Sequence, residues 1–335
     1  MGSVHCERTA VAAILCQGGT ESRQLRDSMG ATPYVLAFEL GAATIGAAVF
    51  DAHHRRVGEV QTAPTMARQL MIVTLMNLKR AGEQARRLAG FEGPPLAVGM
   101  GGAGRVDPRL GCLSSLEPLP ALRHFAIDRF VKDEFGARLY LENNANCFTL
   151  AEALVGAGRG HAVVLGLALG AGFGCGIVIN GKIYRGVSGN AGELGHCSQD
   201  GEPLHDLLSA SGVATFFRRI TGKPAPSPEE LAALVRAGDA PARETWRQYG
   251  LAVGRVLGFV AAVVDPSICV VGGSIGRWLA LFREPLEHSL RESLPPQMAD
   301  RIRVAPTELD HLAAVTGAAK YAFQKIEQNK RVHLS

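Results

Sequence analysis

The stretch "LAFELGAATIGAAVFD", residues 36–51, decides the fold. It is an apolar run, a turn of small residues at Gly41-Ala42-Ala43, and a second apolar run, which is the pattern of a β-hairpin. The same pattern returns as "LGLALGAGFGCGIVIN", residues 165–180. Setting Gly41 on Gly170 aligns the two without a gap at a constant offset of 129 residues. A supersecondary unit repeated in register points to an internal duplication. Small residues at both turns let the backbone approach a ligand closely, and successive N–H groups there form an anion-binding concavity.

Around the hairpins the chain alternates. Met71, Leu75, Leu78, Ala81, Ala85 and Leu88 fall at helical spacing, and Gly90 stops that helix. "PLAVGM" (95–100), "RLYLE" (138–142) and "SICVVGG" (267–273) read as buried strands. "TWRQYGLAVGRVLGFVAAVV" (245–264) reads as a long helix ending at Asp265-Pro266, and "HLAAVTGAAKYAF" (311–323) as a final apolar helix. With 335 residues, the chain is expected to be a two-lobed α/β protein.

Composition excludes several classes. Hydrophobic content is 47% with 20% charge, and the net charge of +4 comes from interleaved Lys, Arg, Asp and Glu with no basic run. Nucleic acid is therefore not an expected partner. No window reaches the ~18 apolar residues of a membrane span, so no membrane partner is expected. The seven cysteines form no CxxC pair, which favours reduced thiols and a cytoplasmic location. "TAVAAILC" (9–16) is a short apolar patch without a small-residue cleavage site, and Met29 offers a second natural start.

"GMGGAG" (99–104) matches G-x-G-x-x-G after a strand, but "RVDPRLG" follows where a helix must open. A dinucleotide turn needs that helix N-terminus for the pyrophosphate, so the match is read as a loop. "LENNANCFTLAE" (141–152) looks like a strand running into a helix, a junction where a catalytic carboxylate is often placed. The chain offers two amides there, Asn143 and Asn144.

"ENNANCFTLAEA" (142–153), "GAGFGCGIVINGKIYRGVSGNAGELGH" (170–196), "DPSICVVGG" (265–273) and "TGAA" (316–319) together resemble the ROK family (repressor, open reading frame, kinase). The nearest branches are the bacterial glucokinase and fructokinase types, and the resemblance covers about residues 35 to 325. It implies a two-lobed actin-like ATPase fold, of the ribonuclease H-like kind, with the duplicated Gly-turn hairpin as its repeated unit. The implied organisation is a leader at 1–33, expected to be disordered, an N-terminal lobe at 34–143 and a C-terminal lobe at 144–309. A helix at 310–327 would pack back on the N-terminal lobe.

The resemblance also implies roles. Asn143 would hydrogen-bond a sugar hydroxyl, and Glu193 and His196 of "GELGH" would bind hydroxyls near the anomeric end. Gly41, Gly170 and Gly172 would frame the triphosphate of ATP, Gly272 and Gly273 would lie near its adenosine, and Glu39 would stand near Mg²⁺. The implied reaction is ATP-dependent phosphorylation of a hexose or hexose derivative, by a protein whose relatives are usually homodimers.

The departures bear on activity. The family has its general-base Asp where Asn144 stands, and an amide cannot accept a proton at neutral pH. Losing a general base costs roughly 10²–10⁴-fold, yet phosphoryl transfer leans mainly on positioning and charge stabilisation. The first turn, usually Asp-x-Gly-Gly-Thr, reads Glu39-Leu40-Gly41-Ala42-Ala43, and Ala171 replaces the usual Thr of the second. The family's His-Cys₃ zinc module is shortened to "GHCSQDGEPLHDLLSASG" (195–212). His196, Cys197, Asp200 and His205 match no strong zinc template, so structural zinc is not expected. The family's sugar-contacting Glu in this run has no firm equivalent; Asp206 is a neighbour by type alone. Two readings follow: a sugar kinase, weakened at Asn144, or an inactive sugar-binding sensor without a DNA-binding domain.

Overall fold

The computed structural model describes residues 32–107, 110–114 and 118–334. The leader expected at 1–33 therefore lies almost wholly outside the described residues. The chain divides into two compact units, one running to Asn143 and taking in residues from Ala318 onward, the other spanning Asn144–Gly317.

The first unit is built on a five-stranded sheet of order β3-β2-β1-β4-β7. Its strands are β1 (Tyr34–Leu40), β2 (Thr44–Asp51), β3 (Arg56–Pro64), β4 (Ala97–Gly102) and β7 (Leu139–Asn143); a small pair, β5 (Val106–Asp107) and β6 (Cys112–Leu113), follows β4. β1, β2 and β3 are antiparallel neighbours, whereas β1, β4 and β7 run parallel. Tyr34, Leu36, Phe38 and Leu40 alternate onto one face of β1 and share a core with Leu75, Leu78 and Ala85 of α1 (Met71–Leu88). Val131 and Phe135 of α2 (Ile127–Phe135) close that core. Helix α1 matches the expected spacing except at Leu88, which is exposed because it sits in the last turn.

The second unit carries a sheet of order β10-β9-β8-β13-β14. After α3 (Asn144–Val155) come β8 (Val163–Leu169), β9 (Phe173–Ile179) and β10 (Lys182–Ile183), then a two-stranded ribbon, β11 (Ser198–Gln199) and β12 (Glu202–Pro203). Four helices follow: α4 (Leu204–Leu207), α5 (Ala210–Thr221), α6 (Pro228–Arg236) and α7 (Ala240–Val264). β13 (Ile268–Gly272), α8 (Gly273–Gly276), α9 (Leu279–Glu292), α10 (Pro296–Ala299) and β14 (Arg303–Pro306) complete the alternation. The last helix, α11 (Ala313–Leu334), starts in the second unit and continues in the first.

The duplication extends to whole sheets, since each has an antiparallel trio followed by two parallel strands. The two hairpins differ by one residue in cross-strand register. Leu40 faces Ile45 in the first, whereas Leu169 faces Phe173 in the second. The cause lies in the turns: the Gly41 amide donates to the Thr44 carbonyl, while the Gly170 amide closes a tighter loop onto the Gly172 carbonyl, each at 2.9 Å. A gap-free alignment conceals that step.

Helix α7 begins five residues before the stretch read from sequence, where Asp239 accepts a hydrogen bond from the Ala242 amide at 2.7 Å as an N-cap. It is long and apolar enough to cross a membrane by length and composition, and half of that apolar window is buried in the second unit. Trp246 stacks on Phe282 of α9, and the buried Tyr249 hydroxyl donates to the Leu208 carbonyl at 2.8 Å.

Candidate active site

In the first unit the residues expected at the site lie at the carboxyl ends of the parallel strands, where ligands of open α/β sheets bind. Glu39, half-buried, is the penultimate residue of β1, and its register neighbour on β4 is Gly101. Gly41 follows β1, and Asn143 ends β7 opposite Gly102. The Gly41–Ala43 turn is held from below. The buried Thr65 donates its hydroxyl to the Gly41 carbonyl at 2.8 Å, its amide bonds the Ala43 carbonyl at 2.8 Å, and Thr74 donates to the Thr65 carbonyl at 2.7 Å. Asn143 donates from Nδ2 to the Gly104 carbonyl at 2.9 Å, which fixes the plane of its amide against the loop after β4. "GMGGAG" is strand as far as Gly102, not loop, and the residues directly after it, 103–107, open no helix. Gly99 is small for a packing reason: a Cβ there would lie 2.2 Å from the Ala318 carbonyl oxygen.

In the second unit Gly170 and Gly172 close the β8–β9 hairpin, and the Gly170 carbonyl accepts from the Ala210 amide at 2.8 Å. Gly272 ends β13 and Gly273 opens α8 with a φ of 88°. A Cβ on Gly273 would meet the Leu169 carbonyl oxygen at 2.3 Å, and one on Gly170 would lie 3.1 Å from Ser274 Oγ. Both glycine pairs thus converge on one end of the sheet. Asn144, half-buried, opens α3, and the next residue packs on β9, with Ala145 Cβ 2.8 Å from the Cβ position of Gly174.

The "GELGH" segment is a short 3₁₀ turn, Leu194–His196, preceded by Glu193. Gly192, at φ 90°, lies against the Cys175 carbonyl of β9. Burial pushes the Cys175 thiol up to about 12, and the Glu193 carboxylate adds to the effect. Glu193 is half-buried and His196 exposed. The second glycine turn and this segment are joined by a side chain given no such place from sequence. The His205 imidazole, on α4, has Cε1 2.8 Å and Nε2 3.6 Å from the Cβ position of Gly172, and Nδ1 3.7 Å from that of Gly195.

Sequence reasoning also passed over Thr65 and Glu152. Glu152 is fully buried, and it accepts hydrogen bonds from the Thr307 hydroxyl and from the amides of Ala157, Glu308 and Leu309. A lone acid in the apolar run "CFTLAEALV" (147–155) was the available signal. Thr65 carried none. Among the described residues, no group of three or more His, Cys, Asp or Glu side chains is placed to hold a metal ion.

Two sheets of matching strand order, each opening on a glycine-turn hairpin, define the actin-like ATPase class, as the resemblance implied. Within that class the chain belongs to the ROK family, whose model matches residues 35–325. The chain is 27% identical over 283 residues to an N-acetyl-D-glucosamine kinase of Pasteurella multocida, covering 78% of this chain and 89% of the relative. The crystal structure of a ROK hexokinase from Thermus thermophilus superposes with a TM-score of 0.76 at 29% identity, covering 88% of this chain and 99% of that one. A ROK glucokinase from Streptomyces griseus, in complex with glucose and AMPPNP, gives 0.73 at 25% identity, covering 87% and 99%.

Proposed function

We propose that this ROK-family sugar kinase transfers the γ-phosphoryl group of ATP to a hydroxyl of a hexose or hexose derivative in the glucose, fructose or amino-sugar class. The observation that carries the reading is the packing, within the second unit, of the Gly170–Gly172 turn beside the Glu193–His196 segment, with one imidazole against both. A turn of small residues suits phosphate oxygens. A carboxylate and an imidazole accept from and donate to hydroxyls in directions that select their geometry.

In this reading Asn143, Glu193 and His196 bind the sugar, Gly41, Gly170 and Gly172 frame the phosphates, and Gly272 and Gly273 lie by the adenosine. Mg²⁺ needs only one or two carboxylates in addition to phosphate oxygens. The single acid Glu39 fits that demand, and the ion would supply charge neutralisation on the phosphates. Asn144 orients the acceptor hydroxyl. The reading also takes the protein to be a cytoplasmic homodimer, as the family resemblance implied. The relatives of known activity support sugar phosphorylation, as does AMPPNP bound to the Streptomyces griseus glucokinase.

The second reading, a sugar-binding sensor that does not turn over, draws on the amide at Asn144 and the absent hydroxyl at Ala171. ADP release measured with ATP, Mg²⁺ and a panel of glucose, fructose, mannose and N-acetylglucosamine separates the two. The kinase reading expects sugar-dependent ADP and a phosphorylated sugar by mass spectrometry. Sugar binding without ADP would overturn it in favour of the sensor.

A further inference from the structure

We infer that His205 is the proton acceptor of the phosphoryl transfer, in the place left by the amide at Asn144; this rests on the kinase reading above. Three observations bear on it. First, the imidazole lies against Gly172, in the second glycine turn, and against Gly195, between Glu193 and His196. It therefore stands where the phosphate-framing and hydroxyl-binding parts of the second unit meet. Second, Gly172 is the turn residue just before β9, and Gly174 is the second residue of that strand. The His205 ring packs at Gly172 and Ala145, next to Asn144, packs at Gly174, so the ring and the start of α3 meet this segment two residues apart. Third, His205 is an exposed residue, not one sealed in the core.

A neutral imidazole has an accepting nitrogen, which an asparagine amide cannot match as a base. In the step proposed, the sugar hydroxyl oxygen forms its bond to the γ-phosphorus as the bond from that phosphorus to the bridging β-oxygen breaks. ADP leaves with that electron pair. The hydroxyl proton passes to the accepting nitrogen of His205 and then to solvent.

The charged or titratable groups on the elements packed against α4 are Glu193 and His196 around the 3₁₀ turn, Glu202 on β12, Cys175 on β9, and Arg218 and Arg219 on α5; α4 itself adds Asp206. Glu202 is paired with Arg219, and the Cys175 thiol is held protonated by burial. Glu193 is the competing acceptor.

The test compares kcat against pH for the natural protein, His205→Gln, His205→Gly and Glu193→Gln, with sugar affinity followed by calorimetry. The expected result is a kcat that falls as the pH is lowered, and a fall in kcat of roughly 10²–10⁴-fold in His205→Gln with sugar affinity kept within a few-fold. That pH limb should disappear in the variant, and added imidazole should restore turnover to His205→Gly. A His205→Gln protein with unchanged kcat, or a His205→Gly protein whose loss imidazole does not repair, would overturn the inference while leaving the kinase reading standing. Sugar binding with no turnover in the natural protein would overturn both.

Discussion

The hydroxyl of Thr65 donates to the carbonyl of Gly41 over 2.8 Å, so the first glycine turn is held by a side chain 24 residues away in sequence. Thr65 is fully buried. Its replacement by Val keeps the shape and leaves the Gly41 carbonyl without that donor. The expected cost is about 1–3 kcal/mol of folding stability, read by urea unfolding. A rise in the KM for ATP, with the KM for sugar unchanged, would mark the turn as a nucleotide element. An unchanged KM for ATP would detach this turn from nucleotide binding.

Glu152 gathers four donors at the end of α3 and ties it to the loop after β14. Glu152→Ala leaves those donors without their buried acceptor. Each unsatisfied buried group costs about 1–3 kcal/mol, so the variant is expected to lose several kcal/mol or fail to fold. Glu152→Gln, which keeps an acceptor oxygen, should fold with a smaller loss. Equal melting temperatures for all three proteins would show that the network carries no stability.

His54 stacks on Phe323 at 3.7 Å between ring centroids, and Lys320 donates to its carbonyl at 3.2 Å, which fastens α11 within the first unit. Burial, reinforced by the Lys320 ammonium, holds the His54 imidazole down at about 4. An unfolded-chain histidine takes its proton near about 6.5. Between those values the unfolded state binds more protons, so stability falls as the pH drops through that window and is unaffected above it. The loss reaches up to about 3 kcal/mol by pH 4. His54→Asn, suited to the positive φ of 62° at this position, should flatten that part of the stability–pH curve. An equally steep curve in the variant would assign the slope to other groups.

Gly99→Ala tests the reading of "GMGGAG" as packing. Its Cβ would press on the backbone of Ala318, which cannot swing aside as a side chain can. The cost expected for such overpacking is about 1–3 kcal/mol, with nucleotide affinity unchanged. Weakened ATP binding in a protein of undiminished stability would restore a ligand role to that glycine.

The hairpins, the alternation and the family were legible because each leaves a local pattern: period two, period 3.6, or a contiguous word such as "GELGH". Thr65, Glu152 and His205 were harder, because their meaning comes from partners distant in the chain or brought in by the fold. The one-residue register step between the hairpins was hidden for the same reason, since it is set by which carbonyl each turn amide reaches. His205 is the clearest case. In sequence it is one histidine in a shortened zinc module, and only the packing of α4 on β9 brings it to Gly172.

The most direct measurement is hexose-dependent ADP release by the natural protein beside Asn144→Asp, each with ATP and Mg²⁺. The account predicts measurable turnover in the natural protein, and from the restored carboxylate a gain well short of the roughly 10²–10⁴-fold a sole base supplies, because His205 already accepts the proton. No turnover in either protein, with no hexose bound by calorimetry, would contradict it.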